Sequence, residues 1–169
     1  DVALTAAPKV RIRDLFARPT LDPQYRNGCL DLAVELANGV PEGRAEGLSV
    51  RAALYDGSGW KVLAASRPVA FGAGGEAAVS FSEPVRAPRR WSAETPDLYT
   101  LTVELADGSG RCLEVVSRRV GFRTSEVRDG RFLVNGVPVR LKGVNRHEHD
   151  PQTGHVISEE SMRRDIELM

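Results

Sequence analysis

The sequence predicts a mainly β chain: an antiparallel β-sandwich over residues 8–120, then a strand–loop–helix unit reaching Met169. Three observations carry this. Short runs rich in Val, Leu, Ile and aromatic residues recur through the first 120 positions, with Gly, Pro, Asp and Asn between them and no helical period. Two Asp-Gly-Ser-Gly tracts, at 56–59 and 107–110, sit where hairpins would turn. Past Val120 the pattern changes, and Val139-Arg-Leu-Lys-Gly143 runs into Asn145-Arg-His-Glu-His-Asp150 before a helical stretch begins. In parallel α/β architectures ligands bind where such strands end. At 169 residues the chain suffices for one well-buried domain and part of another; a whole (β/α)8 barrel needs roughly 250.

The elements follow in order. Residues 9–16 open the series, with Val10 and Ile12 alternating against Arg11 and Arg13. Residues 29–37 alternate most cleanly: Leu30, Leu32, Val34 and Leu36 share one face, which turns Cys29, Asp31 and Glu35 to the other. Residues 48–55 and 60–65 are predicted to pair across the first Asp-Gly-Ser-Gly tract, and residues 99–105 and 111–118 across the second. Strands at 69–71 and 77–81 lie between. Leu98-Tyr-Thr-Leu-Thr-Val-Glu-Leu105 suits a half-buried pleated surface and is the expected central strand. Further on, Asp129-Gly130 and Asn135-Gly136 each predict a type I′ turn, the first joining 126–128 to 131–134, the second leading into a strand at 137–141. Ser158 should cap a helix with Glu159 and Glu160 in its first turn and Met162, Ile166 and Met169 on one apolar stripe. That stripe calls for a packing partner.

Composition narrows the function classes. Basic and acidic residues balance at 23 each, which argues against nucleic acid or an anionic membrane as an obligatory partner. No apolar run approaches the ~20 residues of a membrane span, and the first residues lack a signal-peptide layout. Cys29 and Cys112 fall on outer faces by alternation, Cys112 beside Glu114 and opposite an inward Leu113 and Val115. A bridge needs Cα atoms within about 7 Å, so two free thiols and a reducing, cytoplasmic location are expected.

His147 and His149, flanking Glu148, would share a face of an extended backbone. Three readings stand at this point. The pair could ligate a metal with His155, Asp150 or Glu148, although a lone His-x-His without a CxxC or HExxH motif is weak evidence. The imidazoles could be structural, bonded to backbone carbonyls. Or they could form the edge of a substrate site. Trp91 and Tyr99 carry a similar choice between stacking on sugar and packing, and packing is the commoner use. The basic run Pro84-Val-Arg-Ala-Pro-Arg-Arg90 reads as a solvated loop and Gly72-Ala-Gly-Gly75 as a plain turn.

Several of these segments together resemble the family 2 glycoside hydrolases, the β-galactosidase group. Trp91-Ser-Ala-Glu-Thr-Pro-Asp-Leu-Tyr99 is similar to the entry of a late strand in that family's immunoglobulin-like domain, and Val120-Gly-Phe-Arg123 to its junction with the barrel. Asn135-Gly136 with Gly143-Val-Asn-Arg-His-Glu-His149 resembles the first barrel strand. The resemblance implies an immunoglobulin-like sandwich at 8–120, a truncated first βα unit of a TIM barrel at 121–169, and the tail of a preceding domain or a linker at 1–7. It implies a parent enzyme that hydrolyses terminal β-galactosides with retention, touches neighbouring domains, uses Mg2+ and, like many relatives, forms homo-oligomers. His147 would contact the galactosyl ring and stabilise the transition state, with Asn145 and Arg146 supporting its loop. The catalytic carboxylates and Mg2+ ligands would lie on later strands, leaving this chain without catalytic residues. The rival class is a non-catalytic sandwich that binds glycan or protein.

Overall fold

The computed structural model describes residue 4, residues 6–39 and residues 47–169; the expected tail at 1–7 lies partly outside them. Two compact units result, Asp1–Val139 and Arg140–Met169.

Among the described residues, seven strands build the sandwich in the first unit: β1 Val10–Leu21, β2 Gly28–Asn38, β3 Ser49–Tyr55, β4 Lys61–Pro68, β5 Glu76–Val85, β6 Tyr99–Ala106 and β7 Cys112–Val120. One sheet has the order β1-β2-β5 and the other β4-β3-β6-β7, all pairings antiparallel. The chain thus crosses between sheets after β2, β4 and β5, the connectivity of an immunoglobulin-like sandwich with β4 beside β3. The alternation read from sequence sets the core. Leu30, Leu32, Val34 and Leu36 of β2 meet Val50 and Leu54 of β3 and Leu101, Val103 and Leu105 of β6, each at most 2% exposed. The expected strand at 69–71 is absent; β4 ends at Pro68, and Val69 keeps a single backbone bond, to Leu48 O.

Each lateral edge of the sandwich is closed by a polar contact between sheets. Arg67 of β4 donates to Glu83 of β5 at 2.6 Å, while Glu114 of β7 accepts the backbone N–H of Ile12 on β1 at 2.6 Å. The second contact corrects the alternation expected on β7. A register shift between Leu105 and Ala106 places Glu114 opposite Leu105 and Val116 opposite Val103, so Glu114 turns toward β1 and Val115 is exposed. β1 has its own irregularity between Ile12 and Asp14, where Glu114 bonds the Ile12 amide. A bulge reverses the face of every residue beyond it. Cys29 lies on the outer side of its sheet, its Sγ 3.4 Å from Ser82 Oγ; Cys112, on the other sheet, is exposed, and both thiols are free.

The two Asp-Gly-Ser-Gly turns share one chemistry. In each, the Asp carboxylate accepts from the serine N–H and hydroxyl and from the amide four residues on, and the last glycine has φ of 85° or 87°. The Ser109 hydroxyl, then the Arg111 amide, hold Asp107 at a pKa of about 2. A folded pKa depressed below the unfolded value contributes stability above about pH 4, and that contribution is lost as pH falls through about 2. We expect a gap in unfolding midpoint between wild type and Asp107→Ala that is full at about pH 5 and closed near pH 2; a pH-independent gap would contradict this.

The first unit continues beyond β7 through β8 Ser125–Arg128, β9 Arg131–Val134 and β10 Val137–Pro138. Asp129 and Gly130, then Asn135 and Gly136, all have positive φ, as type I′ turns require. These hairpins are fastened to the sandwich. Asn135 receives the Thr124 N–H on its Oδ1 and donates Nδ2 to the Trp91 carbonyl, at 2.9 and 3.0 Å. Tyr25, in the β1–β2 loop, donates its hydroxyl to Glu126 and receives Arg128, and its ring lies over Gly136 so closely that a Cβ there would sit 2.6 Å away. Phe122 is fully buried, 5.3 Å edge-to-face from Tyr99. The compact unit therefore extends nineteen residues past Val120.

Candidate functional site

The second unit carries the polar cluster. The strand expected to continue to Leu141, and the barrel strand at 139–143, do not form: β10 ends at Pro138, Val139 keeps one backbone bond to Phe132, and residues 140–149 have no ladder. A parallel barrel strand is stabilised by neighbours on both edges, and among the described residues no strand pairs with this one. Val139, Leu141 and Val144 are correspondingly exposed. The expected helix does form, as α1 Glu159–Leu168, with Ser158 accepting the Ser161 amide and Glu159 pairing with Arg163 at 2.7 Å. None of its residues is buried: of the apolar stripe, Ile166 and Met169 are exposed and Met162 is half-buried.

One side chain ties the loop to the helix. Arg146 donates Nε to Asp165 Oδ2 at 2.8 Å, and it alone among residues 139–149 is not exposed. Asn145 is exposed and makes no side-chain hydrogen bond to the described residues. His147 is exposed too, and its imidazole engages none of the described residues, so the backbone-carbonyl role considered for it has no counterpart here. His155 has that role instead, with Nδ1 3.1 Å from the Glu148 carbonyl and its ring 5.3 Å edge-on to His149. Asp150 closes the next turn, its backbone bonding Gly154 in both directions. The amides of Gln152 and Thr153 hold the Asp150 carboxylate below its ordinary pKa. The loop is a free imidazole between two fixed points, Arg146 and Asp150.

The aromatic candidates on the sandwich are absorbed by packing. Tyr99 is 5% exposed and its hydroxyl accepts the Arg89 amide at 2.7 Å. Trp91 has the Arg123 guanidinium 4.6 Å over its ring, and the Gly121 backbone packs against its side chain. No group of three or more His, Cys, Asp or Glu among the described residues converges as metal donors. The described residues therefore offer no such donor group for Mg2+. Sequence reasoning missed Asp165, which no local signal marks, because its partner Arg146 lies nineteen positions upstream.

A sandwich that leads through two I′ hairpins into a polar loop and a capped helix is the arrangement the family models match. The model for glycosyl hydrolases family 2 covers residues 10–123. The chain belongs to this family. The model for the family 2 TIM barrel domain covers residues 125–169. Among relatives of this family 2 chain, a β-galactosidase from Aeromonas hydrophila is 42% identical and one from Photobacterium profundum 40%, each across the whole chain. The chain spans about 16% of the length of these curated relatives. A crystal structure of a Bacteroides uniformis β-glucuronidase superimposes with a TM-score of 0.81 at 26% identity, over 96% of this chain and 20% of that one. No helix is long and apolar enough to cross a membrane among the described residues.

Proposed function

We propose that this family 2 chain is part of a retaining β-galactosidase, its sandwich a rigid spacer between neighbouring domains and its 145–150 loop one rim of the galactosyl site. The observation that carries the reading is the whole-chain identity of 40–42% to β-galactosidases, against 26% to a β-glucuronidase. The loop geometry supports it: His147 is unengaged while its neighbour Arg146 is anchored, which leaves an imidazole ready to bond a sugar hydroxyl. Such a bond accelerates hydrolysis when it strengthens as the ring acquires oxocarbenium character.

Retention requires two carboxylic acids about 5–5.5 Å apart, one as acid/base and one as nucleophile. Three carboxylates of the second unit are engaged: Glu159 pairs with Arg163, Asp165 with Arg146, and Asp150 closes a turn. We assign both reacting carboxylates, and any Mg2+ ligands, to parts of the enzyme outside this chain, as the resemblance to the family implies. We place the enzyme in a reducing, cytoplasmic compartment, a reading supported by the free Cys29 and Cys112.

The test is the specificity of the full-length enzyme toward p-nitrophenyl β-galactoside and β-glucuronide. A site built for one set of ring substituents should prefer the galactoside by at least about a hundredfold in kcat/KM. Preference for the glucuronide would overturn the substrate assignment. No hydrolysis of either, with glycan binding retained, would favour a binding module.

A further inference from the structure

We infer that Asp165 is a positioning residue for the sugar site, fixing His147 by holding Arg146; the inference rests on the role proposed for His147. Residues 140–149 have no ladder hydrogen bonds to define their path. Between the end of β10 and the Asp150 turn, the segment is held before His147 by the Arg146–Asp165 pair, at 2.8 Å, and after it by His155, which meets the Glu148 carbonyl and the His149 ring. The ion pair is partly shielded, with the Arg146 side chain 23% exposed. An arginine–carboxylate contact is directional as well as charged, so it fixes the guanidinium and the backbone that carries it. His147 is the next residue, and an imidazole one peptide away inherits that constraint.

Asp165 lies on α1, whose N-terminus is fixed by the Ser158 cap, and Arg146 is its ion-pair partner. A capped helix is a firmer support than a segment without a ladder, so the pair passes the position of the helix to the backbone beside the imidazole.

The experiment is a double-mutant cycle in the full-length enzyme with p-nitrophenyl β-galactoside. Asp165→Ala should lower kcat by about ten- to a hundredfold, the range expected when a site group is misplaced by around 1 Å. KM should change far less, and thermal stability should stay close to that of wild type. The charge-exchanged double variant Arg146→Asp/Asp165→Arg should recover part of the loss. The discriminating arm adds Asp165→Ala to His147→Ala: with the imidazole gone, the second substitution should lower kcat little further. Equal effects in both backgrounds would overturn the positioning role while leaving the β-galactosidase assignment intact. If His147→Ala by itself left kcat unchanged, the proposed role of His147 would fail and this inference with it.

Discussion

Replacing Phe122 by alanine is expected to lower the unfolding free energy by about 3–5 kcal/mol, the cost of emptying a fully buried aromatic site. Phe122 has 0% exposure, packs edge-to-face on Tyr99, and covers Gly28 so closely that a Cβ there would lie 2.6 Å from its ring. The main chain around it is committed as well, since Trp91 donates its amide to the Phe122 carbonyl at 2.9 Å. The hole cannot close easily, because Tyr99 is held by the Arg89 amide and Pro88 already packs against Gly28 beside the ring. Urea unfolding of the chain measures the effect. Val127→Ala, at a position 76% exposed, should change stability by no more than about 0.5 kcal/mol. A loss below about 1 kcal/mol for Phe122→Ala would show that the segment after β7 is not part of the sandwich core.

The prediction also marks where the sequence was legible. Strands whose hydrophobic period is two and whose turns are Asp-Gly-Ser-Gly, Asp-Gly or Asn-Gly could be read directly, because face and turn are both set by local chemistry. The inward set of β2 and the positive φ of Asp129 and Asn135 follow from residue type alone. What could not be read depends on partners distant in sequence. The β7 bulge leaves no mark on the local alternation, so the inward turn of Glu114 toward Ile12 came only with the structure. The expected strand at 139–143 has the right residues but lacks neighbours to bond with. The Tyr25–Glu126–Arg128 cluster joins residues about a hundred positions apart, and the ion pair of Arg146 with Asp165 spans nineteen. Of the candidate site, the segment carrying His147 was legible from its motif, whereas what anchors it was not.

The second large effect concerns that segment. In the full-length enzyme His147→Ala should remove about 2–4 kcal/mol of transition-state stabilisation, the range seen when a site hydrogen-bond donor is lost. Little of it should come from misfolding, since the imidazole is exposed and bonds to none of the described residues. If the bond tightens as the oxocarbenium ion develops, the loss falls on kcat more than on KM. His149→Ala is the internal control, for its ring rests against His155 on the far side of Glu148. The most direct measurement is therefore kcat of the His147→Ala enzyme on p-nitrophenyl β-galactoside, with thermal stability recorded alongside. A fall of about thirty- to a thousandfold at unchanged stability is the predicted result; a kcat equal to wild type would contradict the placement of this loop at the sugar.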